Sequence, residues 1–319
     1  MSGKIPLIVV AGPTASGKTK LAVELSKLYN GEVVSADSMQ IYKGLSVSTA
    51  KPTEEEMQGI KHHLIDFLEP EQPFSVADYV KLARDCIDDI RSRGKLPVVC
   101  GGTGLYISSL VENISFDDSV GDQGIRGKLK SFADENGNHA LWERLEQVDP
   151  DTAAAVHENN LTRVIRALEV YELTGIPLSI HKINSRSVPS PYDACIIGIG
   201  FEDRQVLYDR INARVDEMVK NGLVGECREF YECYSPTTAY QAIGYKELIP
   251  YFKGESSLED AIDRIKLETR HYAKRQLTWF RRVDGICWVY ADKIGEYKYF
   301  LKNVQNYIAK SGIVCYNIV

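Results

Sequence analysis

The chain has 319 residues, 44% of them apolar and 26% charged, and a formal net charge of −6. That composition is globular and leaves room for one large domain or a domain with an insertion. No apolar run approaches the ~20 residues of a membrane-spanning helix, the seven cysteines stand singly without a Cys-x-x-Cys pair, and the bulk charge does not suggest a nucleic-acid binder. A membrane protein, a disulfide scaffold and a zinc module are thereby excluded.

The amino-terminal residues Met1-Ser2-Gly3-Lys4 lead directly into the apolar run Ile5–Ala11, so no secretory leader is expected. The odd cysteine count (86, 100, 195, 227, 233, 287 and 315) fits a reducing, cytoplasmic setting. The run Ile5–Ala11 reads as a buried parallel strand, and residues 20–28 carry apolar residues at helical spacing. Between them stands Gly12-Pro13-Thr14-Ala15-Ser16-Gly17-Lys18-Thr19, a complete G-x-x-x-x-G-K-[ST] phosphate loop. Glycines at both ends let backbone N–H groups converge on phosphate oxygens, and the helix that follows adds positive potential at its start. Lys18 supplies a point charge, and the Thr19 hydroxyl is placed to reach Mg²⁺. The loop alone marks a nucleotide-binding type of site without saying which phosphate compound it holds.

Val33-Val34-Ser35-Ala36-Asp37 reads as a second strand ending in an acid. A long helix is predicted over residues 75–93, with Ser75 as N-cap and Gly94 as stop. Residues 96–100 form a third buried strand, followed by Gly101-Gly102-Thr103-Gly104. Alternating strands and helices imply an α/β fold: a P-loop NTPase-like parallel sheet flanked by helices. Ligands in such sheets sit beyond the carboxyl ends of the strands. The phosphate loop, Asp37 and the 101–104 loop all fall there, so they should share one cleft. Residues 117–190 are polar and lack a strand pattern. They open on the loop 117–124, close on 185–191 and hold helical patterns such as 161–171, which reads as a mostly helical insertion. Residues 194–200 return to the sheet, and a short strand is expected at 286–289. The division is therefore a core of 1–116 plus 191–319, with 117–190 inserted.

Asp37 has two candidate roles. It is either a Mg²⁺-holding acid or a general base beside the phosphates. The acid expected at the end of the 96–100 strand is replaced by glycines, which weakens an ATPase reading. His62-His63 does not read as a metal site, because neighbours on an extended segment face opposite ways. Residues 264–282 hold seven basic side chains against the single acid Glu268. This stripe is either a footprint for a polyanion or a solvated helix face. Trp279 and Phe280 within it are stacking groups or core.

Several blocks follow the phosphate loop in order: Ser35-Ala36-Asp37-Ser38-Met39-Gln40-Ile41-Tyr42, Thr49-Ala50-Lys51-Pro52, His62-His63-Leu64-Ile65-Asp66 and Gly101-Gly102-Thr103-Gly104-Leu105-Tyr106. Arg163-Val164-Ile165-Arg166-Ala167-Leu168-Glu169-Val170, Gln241-Ala242-Ile243-Gly244-Tyr245-Lys246-Glu247 and Lys274-Arg275-Gln276-Leu277-Thr278-Trp279-Phe280-Arg281 extend the pattern. Together they resemble the bacterial tRNA dimethylallyltransferase family, also called tRNA isopentenyltransferases, over nearly the whole chain. The resemblance implies transfer of a dimethylallyl group from dimethylallyl diphosphate to N6 of the adenosine 3′-adjacent to the anticodon, in tRNAs reading codons that begin with U. Its partners are then the tRNA anticodon stem-loop and dimethylallyl diphosphate, its cofactor is Mg²⁺ held at Thr19, and a cytoplasmic monomer is expected.

By the same resemblance Asp37 and Thr103 are catalytic. Residues 12–19 with Arg210 and Arg214 take the diphosphate. Asp37, Ser38, Met39, Gln40, Thr103, Arg126, Leu161, Thr162, Arg163, Val164, Ile165, Lys274 and Arg275 meet tRNA. Ser48, Lys61, Glu158 and Asn160 depart from the family's usual residues. No Cys₂His₂ finger follows residue 282, unlike the longer eukaryotic form. The alternatives are an adenylate isopentenyltransferase, a small-molecule kinase and an ATP-regulated RNA-binding protein.

Overall fold

Six strands form one parallel sheet in the computed structural model, which describes residues 3–116, 121–234 and 238–313. They are β1 (Ile5–Ala11), β2 (Gly31–Ser35), β3 (His62–His63), β4 (Leu96–Gly101), β5 (Tyr192–Gly200) and β6 (Cys287–Tyr290), in the order β3-β2-β4-β1-β5-β6. Met1-Ser2, the stretch 117–120 of the expected opening loop and Cys315 lie outside the described residues. β1 is central and pairs with both β4 and β5, which is why its apolar run is continuous rather than alternating. Leu7 and Val9 face the helices Val76–Ser92 and Gly104–Val111 on one side of the sheet. Ile8 and Val10 face the helices Lys18–Leu28 and Tyr297–Ser311 on the other.

The first helix starts at Lys18, two residues ahead of the expected 20, because the loop's last turn is already helical. Ser75 caps Val76–Ser92 with a full capping box to Asp78, and Gly94 takes φ +70 past its end. Asp37 stands beyond the end of β2 rather than inside it. β3 was expected only as an extended segment; two residues carry no readable periodicity, and pairing with Val33 and Val34 makes them a strand.

Contact density divides the chain into two units, Met1–Val111 with Pro191–Val319, and Glu112–Ser190. The second unit is all-helical among its described residues: Gln123–Asn136, Asn138–Val148, Pro150–Ala155, Leu161–Thr174 and Leu178–Asn184. Its core is built on Leu129, Leu141, Leu145, Val164 and Ala167.

At the amino end of β2, away from the loops, the Glu32 side chain is 3% exposed and bonded to Arg93, Lys95 and His63. The Arg93 guanidinium, ahead of the other partners, holds its carboxyl well below the usual carboxylate range. Such a carboxylate contributes stability that is complete above its unfolded value near 4.5 and is lost as pH falls below it. Glu32→Gln should therefore lower stability at pH 7 by about 1–3 kcal/mol, discounted because Arg93 and Lys95 are partly solvated. Thermal melts should show the gap between wild type and variant closing below about pH 4.5. A gap that stays constant with pH would show that the ion cluster is not its source.

Candidate active site

The sheet order puts β4 between β1 and β2, so the loops after all three strands meet at one edge. The phosphate loop is shaped by Ala15 at φ +61 and Gly17 at φ +88. Ser16 Oγ is buried with no hydrogen-bond partner among the described residues. Lys18 is partly buried, and among the described residues its Nζ donates only a long 3.3 Å bond, to the Pro13 carbonyl. Burial, ahead of the charge of nearby Arg214, pushes the Lys18 ammonium below its usual range; Cys100 and Asp37 act the other way. An incoming phosphate would offset that desolvation.

Arg210 and Arg214 lie on the helix Arg204–Lys220. Arg210 Nε donates to the Ala15 carbonyl at 2.9 Å, so it braces the loop while its guanidinium stays alongside. Arg214 donates to the Ala50 carbonyl at 3.4 Å, and burial lowers its pKa.

Asp37 Oδ1 accepts the backbone N–H groups of Met39 (2.9 Å) and Gln40 (3.3 Å), which turns the chain directly after the strand. Oδ2 accepts no hydrogen bond from the described residues. Thr103 Oγ1 accepts the Ser38 N–H at 3.0 Å and is 3.3 Å from Ser38 Oγ. Burial pushes the Tyr272 phenol well above its usual range. Asp37, Ser38 and Thr103 are thus brought together. Gln40 is partly spent elsewhere: its Nε2 donates to the Thr49 and Ala50 carbonyls.

These residues open on a cavity of about 280 Å³. Its lining combines the polar Thr14, Lys18, Asp37 and Arg214 with the apolar Met39, Ile211, Val215, Met218 and Ile243. A second cavity of about 20 Å³ lies between Lys18, Thr19 and Asp37, large enough for one water or one cation. The cavity wall at 46–48 is pinned from helix Leu223–Cys233, where the Glu226 carboxylate accepts three consecutive N–H groups, from Ser46, Val47 and Ser48. Lys51 reaches Asp66, joining two of the sequence blocks.

The basic stripe is the helix Leu258–Phe280, and it is not uniform. Lys266 pairs with Asp216, and Arg270 donates to Asn212, so both tie the helix to Arg204–Lys220. Lys274 and Arg275 are exposed, and Arg275 also lines the larger cavity. Phe280 is fully buried core, whereas Trp279 is 38% exposed and donates to Ser108 Oγ. Gln276, which the sequence reading did not single out, is buried and joins two loops. It accepts the Thr14 N–H at 2.9 Å and donates to the Gly102 carbonyl at 3.0 Å. Apart from its place in the Lys274–Arg281 block nothing marks it, because a glutamine among basic residues on a helix reads as surface.

In the helical unit, Arg126 is bound through Nε to the buried Glu169 at 2.7 Å. Thr162 and Arg163 are exposed at the start of Leu161–Thr174. Val164 is fully buried, with Leu161 and Ile165 packed on the same core, so these three can face a ligand only in part. His62 and His63 turn to different partners, the Ile60 carbonyl and Glu32. Among the described residues no group of three or more His, Cys, Asp or Glu could hold a metal.

The model of the IPP transferase family matches residues 40–283, and that of isopentenyl transferases matches residues 5–71. A relative from Thermoanaerobacter sp. (strain X514), a tRNA dimethylallyltransferase, is 51% identical over 308 residues, covering 96% of this chain and 98% of its own. A crystal structure of the tRNA isopentenylpyrophosphate transferase from Bacillus halodurans is 44% identical, with TM-score 0.73 and 97% of each chain covered. A eukaryotic dimethylallyltransferase acting on tRNA is 28% identical with TM-score 0.80, covering 97% of this chain and 80% of that one.

Proposed function

The chain belongs to the IPP transferase family, and from this we infer that it is a tRNA dimethylallyltransferase, moving a dimethylallyl group from dimethylallyl diphosphate to N6 of the adenosine 3′-adjacent to the anticodon. The observation that carries the chemistry is the mixed lining of the cavity. Lys18, Arg214 and Asp37 share it with the apolar side chains of Met39, Ile211, Val215 and Met218. A five-carbon diphosphate needs both kinds of neighbour.

In the transfer, the N6 nitrogen attacks C1 of the dimethylallyl group. The C1–O bond breaks, and its electron pair leaves on the diphosphate. Loop N–H groups, Lys18 and Arg214 meet that growing charge, the differential stabilisation that lowers a barrier. Asp37 takes the N6 proton through Oδ2, while Oδ1 stays fixed by its two N–H bonds. Thr103 holds Ser38, and with it the turn that carries Asp37. Mg²⁺ in phosphate sites draws most of its ligands from water and the phosphates and one or two from protein oxygens. The Thr19 hydroxyl beside the 20 Å³ cavity fits that need. When bound there, the ion neutralises charge on the leaving diphosphate.

Lys274 and Arg275 take RNA phosphates, with Arg126, Thr162 and Arg163 of the helical unit as further contacts to the anticodon stem-loop. The working protein is a cytoplasmic monomer with no obligate protein partner. No described helix is long and apolar enough to cross a membrane. The direct test is purified protein with radiolabelled dimethylallyl diphosphate and either tRNA or AMP as acceptor. Label should enter tRNA alone, and ATP should not be hydrolysed. Preferential labelling of AMP would make the chain an adenylate isopentenyltransferase, and acceptor-stimulated ATP hydrolysis would make it a kinase.

Binding of tRNA should weaken steeply with salt, each neutralised phosphate adding about −0.7 to −0.9 to the log–log slope. Replacing Lys274 and Arg275 together by alanine should flatten that slope. An unchanged slope in filter binding across salt concentrations would take these two side chains out of the RNA footprint.

A further inference from the structure

We propose that Gln276 sets the length of the phosphate chain the loop accepts: its amide fills the place of a third phosphate, so a diphosphate is admitted and a triphosphate is refused. The proposal rests on the donor reading above and adds the residue that enforces it. In phosphate-loop NTPases the terminal phosphate and its metal lie between the loop and the acid-bearing strand nearby. Here the strand beside β1 is β4, and it ends in Gly101-Gly102 with no acid. The gap between that end and the loop is occupied. Gln276 is 5% exposed, and its Oε1 and Nε2 bond Thr14 N–H and the Gly102 carbonyl across the gap. The fit leaves no slack, since a Cβ on Gly102 would lie 2.1 Å from Nε2.

A third phosphate could enter only by displacing this amide. Two buried hydrogen bonds would break, and the Gly102 carbonyl would be left facing anionic oxygens. The Thr14 N–H is already spent on Gln276 and the Ser16 N–H on the Pro13 carbonyl, so the amides of Ala15, Gly17, Lys18 and Thr19 remain for the two phosphates of the donor. The Gly101-Gly102 pair fits the same account. A Cβ at Gly101 would lie 2.1 Å from the Ala36 carbonyl, so the strand end has no room for an acid at that position.

The test compares inorganic diphosphate and inorganic tripolyphosphate as inhibitors of dimethylallyl transfer to tRNA. The wild type should bind diphosphate at least about tenfold more tightly than tripolyphosphate. In Gln276→Ala the inhibition constant of tripolyphosphate should fall in absolute terms, bringing the ratio towards one. Gln276→Met, which keeps the volume without the amide, should keep excluding tripolyphosphate. A brace between two loops, and nothing more, would weaken both inhibitors in Gln276→Ala and leave the ratio where it was; that result overturns the proposal. Should the alanine variant fail to fold, Gln276→Asn opens the same gap by one methylene and is read by the same ratio. Titration calorimetry with the two anions reads the ratio without turnover. A wild type that binds diphosphate selectively yet transfers no dimethylallyl group would refute the donor reading and leave the role of Gln276 standing.

Discussion

Asp37→Asn keeps the fold and the affinity for dimethylallyl diphosphate and loses about 10²–10⁴-fold in single-turnover transfer, the usual worth of a general base. The expectation is specific because the two oxygens of Asp37 do different things. Oδ1 closes the turn onto Met39 and Gln40, and an asparagine oxygen can accept the same two N–H bonds. Oδ2 accepts nothing from the described residues, and an amide NH₂ in its place cannot take the N6 proton. Fold and chemistry are thereby separable at one atom. Single-turnover rates with saturating donor and tRNA measure the chemical step, and circular dichroism with donor titration checks the rest. Transfer by Asp37→Asn at close to the wild-type rate would remove the carboxylate from the mechanism. Loss of donor binding together with rate would instead make it a ligand of the diphosphate's metal.

Lys18→Ala weakens dimethylallyl diphosphate binding and slows transfer together, lowering kcat/KM by about 10²–10³-fold. Lys18 is partly buried, its ammonium is disfavoured by desolvation and shares the cavity lining with Arg214, and its hydrogen bond among the described residues is a long one to the Pro13 carbonyl. The folded protein holds that charge at a cost, which a bound diphosphate reverses. Removing it should therefore leave the free protein at least as stable as the wild type while the complex is lost. Thermal melts with and without dimethylallyl diphosphate distinguish the cases. The wild type should gain stability with donor, and the variant should not. Equal gains in both proteins would place the phosphate charge on other groups.

The readings that held were those whose physics is contained in a few adjacent residues. The phosphate loop is a strand, a turn and a helix in one unbroken stretch, and each part shows in the spacing of its own residues. Ser75 with Asp78 caps a helix because a side chain three residues on can reach back to the backbone. Alternating runs sufficed for a parallel sheet, and with it for the edge where loops gather.

What needed the tertiary structure were the partners brought from far along the chain. Glu226 and the loop at 46–48 meet only because helix Leu223–Cys233 packs there. Within one basic stripe, packing decides that Lys266 and Arg270 are tied inward while Lys274 and Arg275 stay exposed. Trp279 and Phe280, one position apart on the helix, fall on different faces, and only the neighbours make one of them core. Gln276 stands 262 positions from Thr14, and the choice between surface glutamine and buried clamp was made by the sheet order that sets β4 beside β1. Local hydrogen bonds and periodicity are written in the residues that make them. A contact between distant segments depends on the packing of everything between them, so the sequence determined which elements exist and what chemistry they carry, and the fold decided which side chains stand face to face.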